Sequence, residues 1–226
     1  MAGRRGQRFA DETMRPSSMR GDGPTVVKIG GSCAASLDLR RWSAAVAGCA
    51  GQVAIVPGGG PFADAVRAAQ PAIGFDDAAA HHMAMLAMEQ YGRALAGFDA
   101  RLRLVDSAAA LRRCLRENRV PVWLPTRMAL GAAEIPASWD VTSDSLAAWL
   151  AGRIGARRLL LLKQVELPRG PVRAEDLAAR GVVDKAFARF LAGSGVAAFV
   201  LGPAGHMAIA AAVCDDSAAG TPIMSG

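Results

Sequence analysis

The chain has 226 residues, of which 52% are hydrophobic, and 26 Lys and Arg residues against 20 Asp and Glu residues give a net charge of +6. This length suits one large α/β domain and is short for two. No apolar run reaches the roughly 18–20 residues of a membrane span, and no aromatic residues interleave the arginines for base stacking, so we expect neither a membrane nor a nucleic-acid partner.

The composition of the N-terminal segment and the spacing of the cysteines indicate where in the cell the protein is located. Residues 1–24 are rich in Gly, Arg, Ser and Pro and contain no apolar segment of a signal peptide. We predict a disordered tail there and a single domain over residues 25–226. The cysteines have no CxxC spacing and lie in or beside apolar segments, which indicates reduced, buried thiols rather than disulfides or a zinc site. We therefore expect a cytoplasmic protein without a protein-held metal.

From residue 25 onward, short apolar runs alternate with amphipathic stretches. The runs predicted as strands are Thr25–Ile29, Val53–Val56, Leu102–Val105, Val120–Leu124, Arg158–Leu162 and Ala197–Leu201. The stretches predicted as helices are Leu37–Cys49, Phe62–Gln70, Asp76–Leu95, Ala108–Glu117, Ser143–Ile154, Lys185–Ala192 and Met207–Val213. This alternation is typical of a three-layer α/β/α sandwich with a mostly parallel central sheet. In such folds ligands bind beyond the carboxyl ends of the strands.

The first two predicted strands each end in a glycine-rich turn. The first turn is Lys28-Ile29-Gly30-Gly31-Ser32, and the second is Pro57-Gly58-Gly59-Gly60, just before a helix that opens near Pro61. Glycines let backbone N–H groups approach an anion and point towards it. The spacing fits neither the P-loop nor the dinucleotide-binding motif. We predict that the two turns hold the donor and acceptor ends of one phosphoryl transfer.

Lysine is scarce in this chain, and its positions are informative. Among the 26 basic residues only Lys28, Lys163 and Lys185 are lysines, and each lies at a predicted loop junction. A lysine ammonium is a compact point charge that can follow a phosphoryl group between donor and acceptor. Taken singly, Lys163 and Lys185 also fit ordinary solvated lysines. Together, the three positions predict a shared anion site.

A polar segment precedes the alanine-rich helix that starts near residue 143. Asp140 or Thr142 could cap that helix, and an acid in its first turn complements the helix dipole. The run of Asp140, Thr142, Ser143, Asp144 and Ser145 exceeds what capping requires. We predict that a carboxylate here orients the lysines and assists the substrate or a metal.

These motifs resemble those of the amino acid kinase family, whose members include acetylglutamate, glutamate, aspartate and uridylate kinases. Lys28–Ser32, Pro57–Gly60 and Thr142–Leu146 occur in the family's order and spacing, and Gly220–Ile223 resembles its closing strand. Within the family, the chain is similar to the kinases of methanofuran biosynthesis, which convert an aminomethylfuranyl-methyl phosphate to its diphosphate. The residues that carry this similarity are His81, Met88–Tyr91, Leu124–Pro125, Ser138–Trp139, Val183–Asp184 and Phe187.

The resemblance implies an ATP-dependent kinase, with Mg²⁺ carried by the nucleotide phosphates and a small phosphorylated acceptor. Lys28 would stabilise the transferring group, and Asp144 would organise the lysines. Lys185 either matches a second catalytic lysine of the family or merely follows Val183–Asp184. The residues assigned to ATP are Gly30, Gly31, Ser32 and Lys163. The residues assigned to the acceptor are Gly58, Gly59, Gly60, Asp140 and Ser143.

The segment after the fifth predicted strand departs from the family pattern. The family usually has a Thr-Asp-Val-Asp-Gly type loop that receives the nucleotide, whereas this chain has Lys163–Arg169. The departure leaves three functions open: a kinase for a phosphorylated cofactor precursor, a kinase for UMP or an acidic amino acid, or a non-catalytic storage or regulatory protein that binds nucleotides or oxyanions. Because family members usually oligomerise near residues 76–95, we expect a homo-oligomer, a dimer or larger.

Overall fold

The computed structural model describes residues 23–34, 36, 38–167, 170–214 and 220–225. The strands are β1 (Thr25–Ile29), β2 (Val53–Pro57), β3 (Leu102–Val105), β4 (Val120–Trp123), β5 (Arg158–Leu162), β6 (Val172–Arg173), β7 (Ala197–Leu201) and β8 (Thr221–Met224). The α-helices are α1 (Leu39–Ala47), α2 (Gly60–Ile73), α3 (Asp77–Ala96), α4 (Ala108–Arg116), α5 (Thr126–Ala129), α6 (Ser143–Ile154), α7 (Ala174–Ala179), α8 (Phe187–Ser194) and α9 (Ile209–Cys214). None of the helices described is long and apolar enough to cross a membrane.

The strands of the described residues form one sheet in the order β3-β4-β2-β1-β5-β7-β8-β6. β1 lies in the middle and pairs in parallel with β2 and β5. β8 runs antiparallel to β7, and β6 pairs in parallel with β8. Helices cover both faces of the sheet, so the predicted α/β sandwich with a mostly parallel sheet is confirmed.

Alternation along β1 divides the core between the two faces of the sheet. Val26 packs in the cluster that contains most of α6, whereas Val27 and Ile29 pack in the cluster that contains α1 and α9 residues. Successive side chains of a strand point to opposite faces, so Lys28 lies on the same face as Val26. The Lys28 ammonium therefore extends towards α6 at the carboxyl end of β1.

Several elements differ from the sequence prediction. Helix α2 starts at Gly60, two residues earlier than predicted, so the third glycine of the second turn belongs to the helix. Lys185 precedes α8 instead of starting it. The predicted helix over Met207–Val213 is divided between a 3-10 segment, Pro203–Ala208, and α9. The short elements α5, α7 and β6 were not predicted, because two to six residues are too few to show a hydrophobic period.

Three further predictions concern the N-terminal tail, the closing strand and the cysteines. Residues 1–22 lie outside the described residues, so the tail and the single-domain boundary stay predictions. The closing strand that the family resemblance suggested is present as β8. Cys33 and Cys114 are buried free thiols, which agrees with the prediction made for them.

Candidate active site

The two glycine turns lie side by side at the carboxyl ends of β1 and β2. The Gly58 N–H donates a hydrogen bond of 2.8 Å to the Ile29 carbonyl. A Cβ on Gly58 would lie 2.4 Å from the Gly31 nitrogen, and a Cβ on Gly31 would lie 2.5 Å from the Gly60 nitrogen. Non-bonded atoms do not approach this closely, so the turns pack backbone against backbone.

Asp144 lies between two buried lysines. Lys28 Nζ is 2.9 Å from Asp144 Oδ1, and Lys163 Nζ is 2.9 Å from Asp144 Oδ2. The side chains of Lys28, Asp144 and Lys163 are only 4%, 6% and 11% exposed. Buried ions require partners of opposite charge. When all three groups are ionised, they carry one net positive charge, which favours a bound anion.

The charges of this cluster shift its pKa values. Burial alone would raise the pKa of Asp144, but the positive charges of Lys163 and Lys28 outweigh burial and lower that pKa to about 2. Burial lowers the pKa of Lys163, and the repulsion of Lys28 adds to this, while Asp144 opposes it. Asp144 is therefore ionised at neutral pH and holds both lysines.

Three elements meet to form the cluster. Lys28 is the fourth residue of β1, Asp144 is in the first turn of α6, and Lys163 directly follows β5. The Lys163 N–H continues the sheet by donating to the Leu201 carbonyl at 3.0 Å. Gly30 lies next to the cluster, since a Cβ on it would be 3.4 Å from Lys28 Nζ. The first glycine turn and the lysines thus form one site.

A cavity of about 480 Å³ opens beside the two glycine turns. Gly31, Ser32, Gly59 and Gly60 line it on one side, and Ser143 lines it from α6. The other side chains of its wall that bear on ligand binding are Asp64, Arg67, His81, Met85, Met88 and Trp139. Arg67 Nη1 is 3.4 Å from Asp64 Oδ1, and both of these side chains are exposed. Its volume lies in the range of small-molecule sites.

Arg67 and Trp139 form one wall of the cavity. The Arg67 guanidinium lies 4.3 Å from the centre of the Trp139 ring. Trp139 Nε1 donates a hydrogen bond of 2.6 Å to Gln70 Oε1. Helix α2 therefore fixes the indole from two positions, and it presents a cation beside an aromatic surface.

His81 on α3 contributes a neutral ring to the same cavity. Its residue is 7% exposed, and its Nε2 has no hydrogen-bond partner among the described residues. Burial lowers the pKa of His81, His82 lowers it further, and the Ser138 backbone opposes the change. Together with Met85 and Met88, this ring gives the cavity an uncharged stretch of wall from α3.

Two predicted site residues lie away from the buried cluster. Lys185 Nζ is 3.0 Å from Asp140 Oδ1, and the two side chains are 80% and 55% exposed. Neither residue belongs to the described lining of the cavity. Among the described residues, the structure thus brings together Lys28, Asp144 and Lys163 but not Lys185. The acceptor role of Asp140 stays a prediction.

Sequence reasoning assigned no role to Arg67 or Asp184. Arg67 follows Gly60 by seven residues, which is two turns on one face of α2, so the helical period could have indicated its position. Asp184 contacts the first turn of α6 through Thr142 and Ser145. No local signal indicates that contact, because the partners lie about forty residues apart in sequence.

The chain is similar in sequence to known proteins. The sequence model of the amino acid kinase family matches residues 23–167. The (5-(aminomethyl)furan-3-yl)methyl phosphate kinase of Methanocaldococcus jannaschii is 26% identical over 175 residues, which cover 72% of this chain and 80% of that protein.

Solved structures share the fold at lower identity. Uridylate kinase from Archaeoglobus fulgidus has a TM-score of 0.70 at 19% identity, covering 89% of this chain and 100% of that chain. Aspartate kinase from Synechocystis has a TM-score of 0.64 at 12% identity, covering 90% of this chain and 40% of that chain. At these identities the likeness establishes the fold alone.

The contact between the glycine turns predicts a large effect of one methyl group. Gly58→Ala places a Cβ against the Gly31 backbone, so we expect the free energy of unfolding to fall by about 1–3 kcal/mol. Gly193→Ala is the matched control, because no described residue outside its own turn of helix comes within 4 Å of a Cβ at that exposed position, and alanine is favoured in helices. Urea denaturation at pH 7 measures both. Equal effects of the two substitutions would contradict the backbone packing.

Burial of Asp144 between lysines predicts a pH-dependent stability. The pKa of Asp144 in the folded protein, about 2, is below its ordinary value of about 4. The stabilisation is therefore complete above the ordinary pKa and is lost as the pH falls from about 4 towards 2. At pH 7, Asp144→Asn should cost about 3–5 kcal/mol, because it leaves two buried lysines unpaired.

Urea denaturation of the wild type and Asp144→Asn between pH 7 and pH 3 tests this expectation. The difference between them should be constant near neutrality and should narrow below about pH 4. Asp106→Asn is the control, because Asp106 pairs with Arg127 at the surface and such pairs contribute at most about 1 kcal/mol. A difference that widened on acidification would rule out the ionised carboxylate.

Proposed function

The chain belongs to the amino acid kinase family and is a phosphotransferase, and from this premise we propose that it transfers the γ-phosphoryl group of ATP to a small acceptor that already carries a phosphate. The acceptor we propose is an aminomethylfuranyl-methyl phosphate, the substrate in the name of the relative from M. jannaschii. The products are the acceptor diphosphate and ADP. The observation that carries this proposal is Asp144 held between Lys28 and Lys163 beside two glycine turns.

On the donor side, Gly30, Gly31 and Ser32 bind the ATP phosphates through backbone N–H groups. The absence of a side chain on Gly30 supports this role, since a Cβ there would lie 3.4 Å from Lys28 Nζ, where a phosphate would bind. Lys28 and Lys163 add two ammonium groups at the same place. In this proposal Lys163, rather than Lys185, is the second phosphate-binding lysine, because only Lys163 shares Asp144 with Lys28.

On the acceptor side, Gly59, Gly60 and Ser143 line the cavity and face the phosphate of the acceptor, and Gly58 holds this turn against β1 through its bond to Ile29. The N-terminus of α2 favours an anion there, and Arg67 supplies a cation on the same helix. The flat furan ring would lie against the uncharged part of the cavity wall, where Met85 and Met88 lie. A volume of about 480 Å³ is ample for a molecule of this size.

The chemistry needs charge neutralisation more than acid–base catalysis. An oxygen of the acceptor phosphate attacks the γ-phosphorus of ATP, and the bond between that phosphorus and the β–γ bridging oxygen breaks. The attacking oxygen is already ionised, so no general base is needed. Lys28 and Lys163 stabilise the negative charge that moves from donor to acceptor. Mg²⁺ carried by the ATP phosphates would neutralise part of their negative charge.

A second function is favoured by one observation. Lys163–Arg169 stands where the family usually has a Thr-Asp-Val-Asp-Gly type loop that receives the nucleotide, and this segment contains neither an aspartate nor a glycine. The chain could therefore bind ATP or an oxyanion without turnover, as a storage or regulatory protein. Stoichiometric binding that gives no ADP, and that persists in Lys28→Ala, would establish this alternative in place of catalysis.

Assembly and location stay proposals as well. We propose a homo-oligomer formed through α2 and α3, where Phe62, Ile73, Met83 and Leu86 are exposed apolar residues, and a cytoplasmic location. Light scattering of the purified full-length chain measures its mass directly. A monomer at micromolar concentration would overturn the first of these proposals.

An acceptor panel tests the proposed reaction. Purified protein with Mg·ATP is given aminomethylfuranyl-methyl phosphate, UMP, isopentenyl phosphate, aspartate or glutamate. ADP release and ³¹P NMR of the product are followed. We expect a diphosphate signal with the furanyl phosphate and at least tenfold lower kcat/KM with the others. If the protein preferred UMP or an amino acid, that compound would take the place of the furanyl phosphate as the acceptor. If none of the compounds gave a product, the proposal would be refuted.

The two lysines of the cluster predict a pattern of losses. Removing one group that stabilises developing charge typically costs about 10²–10³ in kcat, so we expect that loss for Lys28→Ala and for Lys163→Ala. Lys185→Ala removes an exposed lysine, and its loss should be at least tenfold smaller than that of Lys163→Ala. Steady-state kinetics measures all three variants. A larger loss at Lys185 than at Lys163 would instead support the second catalytic lysine that the family resemblance suggested at Lys185.

A further inference from the structure

The first turn of α6 is capped by a residue from another part of the chain. Asp184 Oδ2 accepts hydrogen bonds from the Thr142 N–H at 3.0 Å, the Thr142 hydroxyl at 2.8 Å and the Ser145 N–H at 3.0 Å. Asp184 Oδ1 accepts a further bond from the Ser145 hydroxyl. One carboxylate thus binds four donors on both sides of Asp144.

This cap replaces the usual local one. Thr142 is at the N-cap position of α6, but its side chain makes no capping hydrogen bond within the helix. Its hydroxyl donates to Asp184 instead. The negative charge of Asp184 also lies at the positive end of the helix dipole, where it is favourable. The position of the first turn of α6 therefore depends on the segment that carries Asp184.

Lys185 and Ala186, which follow Asp184, contact the segment before α6 at Asp140. Lys185 Nζ pairs with Asp140 at 3.0 Å, and the Ala186 N–H donates to the Asp140 carbonyl at 3.0 Å. Asp184, Lys185 and Ala186 thus clamp the chain from Asp140 to Ser145. Lys185 and Asp140 thus form an ion pair at the surface, where both have a structural role.

The electrostatic environment of Asp184 links it to the buried cluster. Burial raises the pKa of Asp184, the charge of Asp144 raises it further, and the bonds from Ser145 and Thr142 oppose these effects. The charge of Asp184 in turn favours the protonated form of Lys163. The groups that face Lys163 in this way are Asp144 from α6, Lys28 from β1 and Asp184 from the turn before α8.

We propose that Asp184 is a positioning residue that fixes the first turn of α6 and so keeps Asp144 between Lys28 and Lys163. The proposal rests on the proposed phosphoryl transfer for its kinetic consequences, but the geometry of the cluster can be tested without it. Asp184 is not among the described residues that line the cavity, and it acts through Thr142 and Ser145. An error of about 1 Å in placing catalytic groups can cost about 10² in rate.

Two substitutions at this position separate shape from charge. Asp184→Ala removes all four acceptor contacts, so we expect kcat to fall about 100-fold, with KM for ATP and acceptor changing less than about threefold. Asp184→Asn keeps an amide oxygen to accept and an amide N–H to donate to the Ser145 hydroxyl. We expect it to recover kcat to within about fivefold of the wild type, which a role as a charge alone would not allow.

The dependence of kcat on pH tests the effect of removing the negative charge of Asp184. Without the negative charge of Asp184, the protonated form of Lys163 is less favoured, so its pKa falls. The alkaline limb of the kcat profile should therefore move to lower pH in Asp184→Asn. Ser145→Ala removes one donor and leaves every charge in place, so it should lower kcat without moving that limb.

Asp76→Ala is the matched control. Asp76 caps α3 by accepting from the Ala79 N–H at 2.8 Å, so the same substitution removes a capping carboxylate far from the cluster in sequence. We expect it to lower stability while kcat stays within about twofold of the wild type. If Asp184→Ala and Asp76→Ala changed kcat equally, the positioning role would be refuted. Asp184→Asn and Ser145→Ala carry the test if Asp184→Ala does not fold.

Crystal structures of the wild type and the variants decide the geometry independently of activity. We expect at least one lysine to move beyond 4 Å from Asp144 in Asp184→Ala, or in Ser145→Ala if Asp184→Ala does not fold. If both lysines stayed at 2.9 Å in that variant, the clamp would be overturned even in an active enzyme. A wild type that phosphorylates no acceptor would instead refute the proposed function and leave the geometric test intact.

Discussion

Two lysine ammonium groups can be buried side by side only if a carboxylate lies between them, and Asp144 meets that constraint. Removing an ion from water costs several kcal/mol even after relaxation. The register of the sheet brings the lysines to this place. Lys28 lies opposite Leu161, and Lys163 is two residues beyond Leu161, so both lysines extend from the same face of neighbouring strands. The pairing of β1 with β5 and the position of α6 therefore determine the site.

This dependence on register explains which parts of the site the sequence could predict. The strand ends, the two glycine turns and Asp144 are marked by local features: apolar runs, paired glycines and acids ahead of a helix. Lys163 and Lys185 look alike in sequence, since each lies at a loop junction within two residues of an apolar run. Only the parallel pairing of β5 with β1, a contact across more than one hundred residues, selects Lys163. The sequence contains no local signal for that choice.

The same reasoning applies to the contacts that hold the first turn of α6 and the cavity wall. An N-cap threonine is expected to cap its own helix, but here Thr142 donates to Asp184. Trp139 is likewise fixed by Gln70, which lies 69 residues earlier. The overall fold was predictable because hydrophobic periodicity is local and repeated along the chain. Polar contacts between distant segments have no period, so they emerge only from the folded structure.

The glycine turns show why a motif and its chemistry are separate matters. Gly31 and Gly58 must be glycine because their backbones touch, and that requirement holds whether or not a phosphate binds. The turns therefore identify how β1 and β2 are joined to the segments that follow them. Charge makes the place suitable for phosphoryl transfer, through Lys28 and Lys163 held by one aspartate. A chain that kept the glycines and lost the lysines would retain the packing of the turns without their anion site.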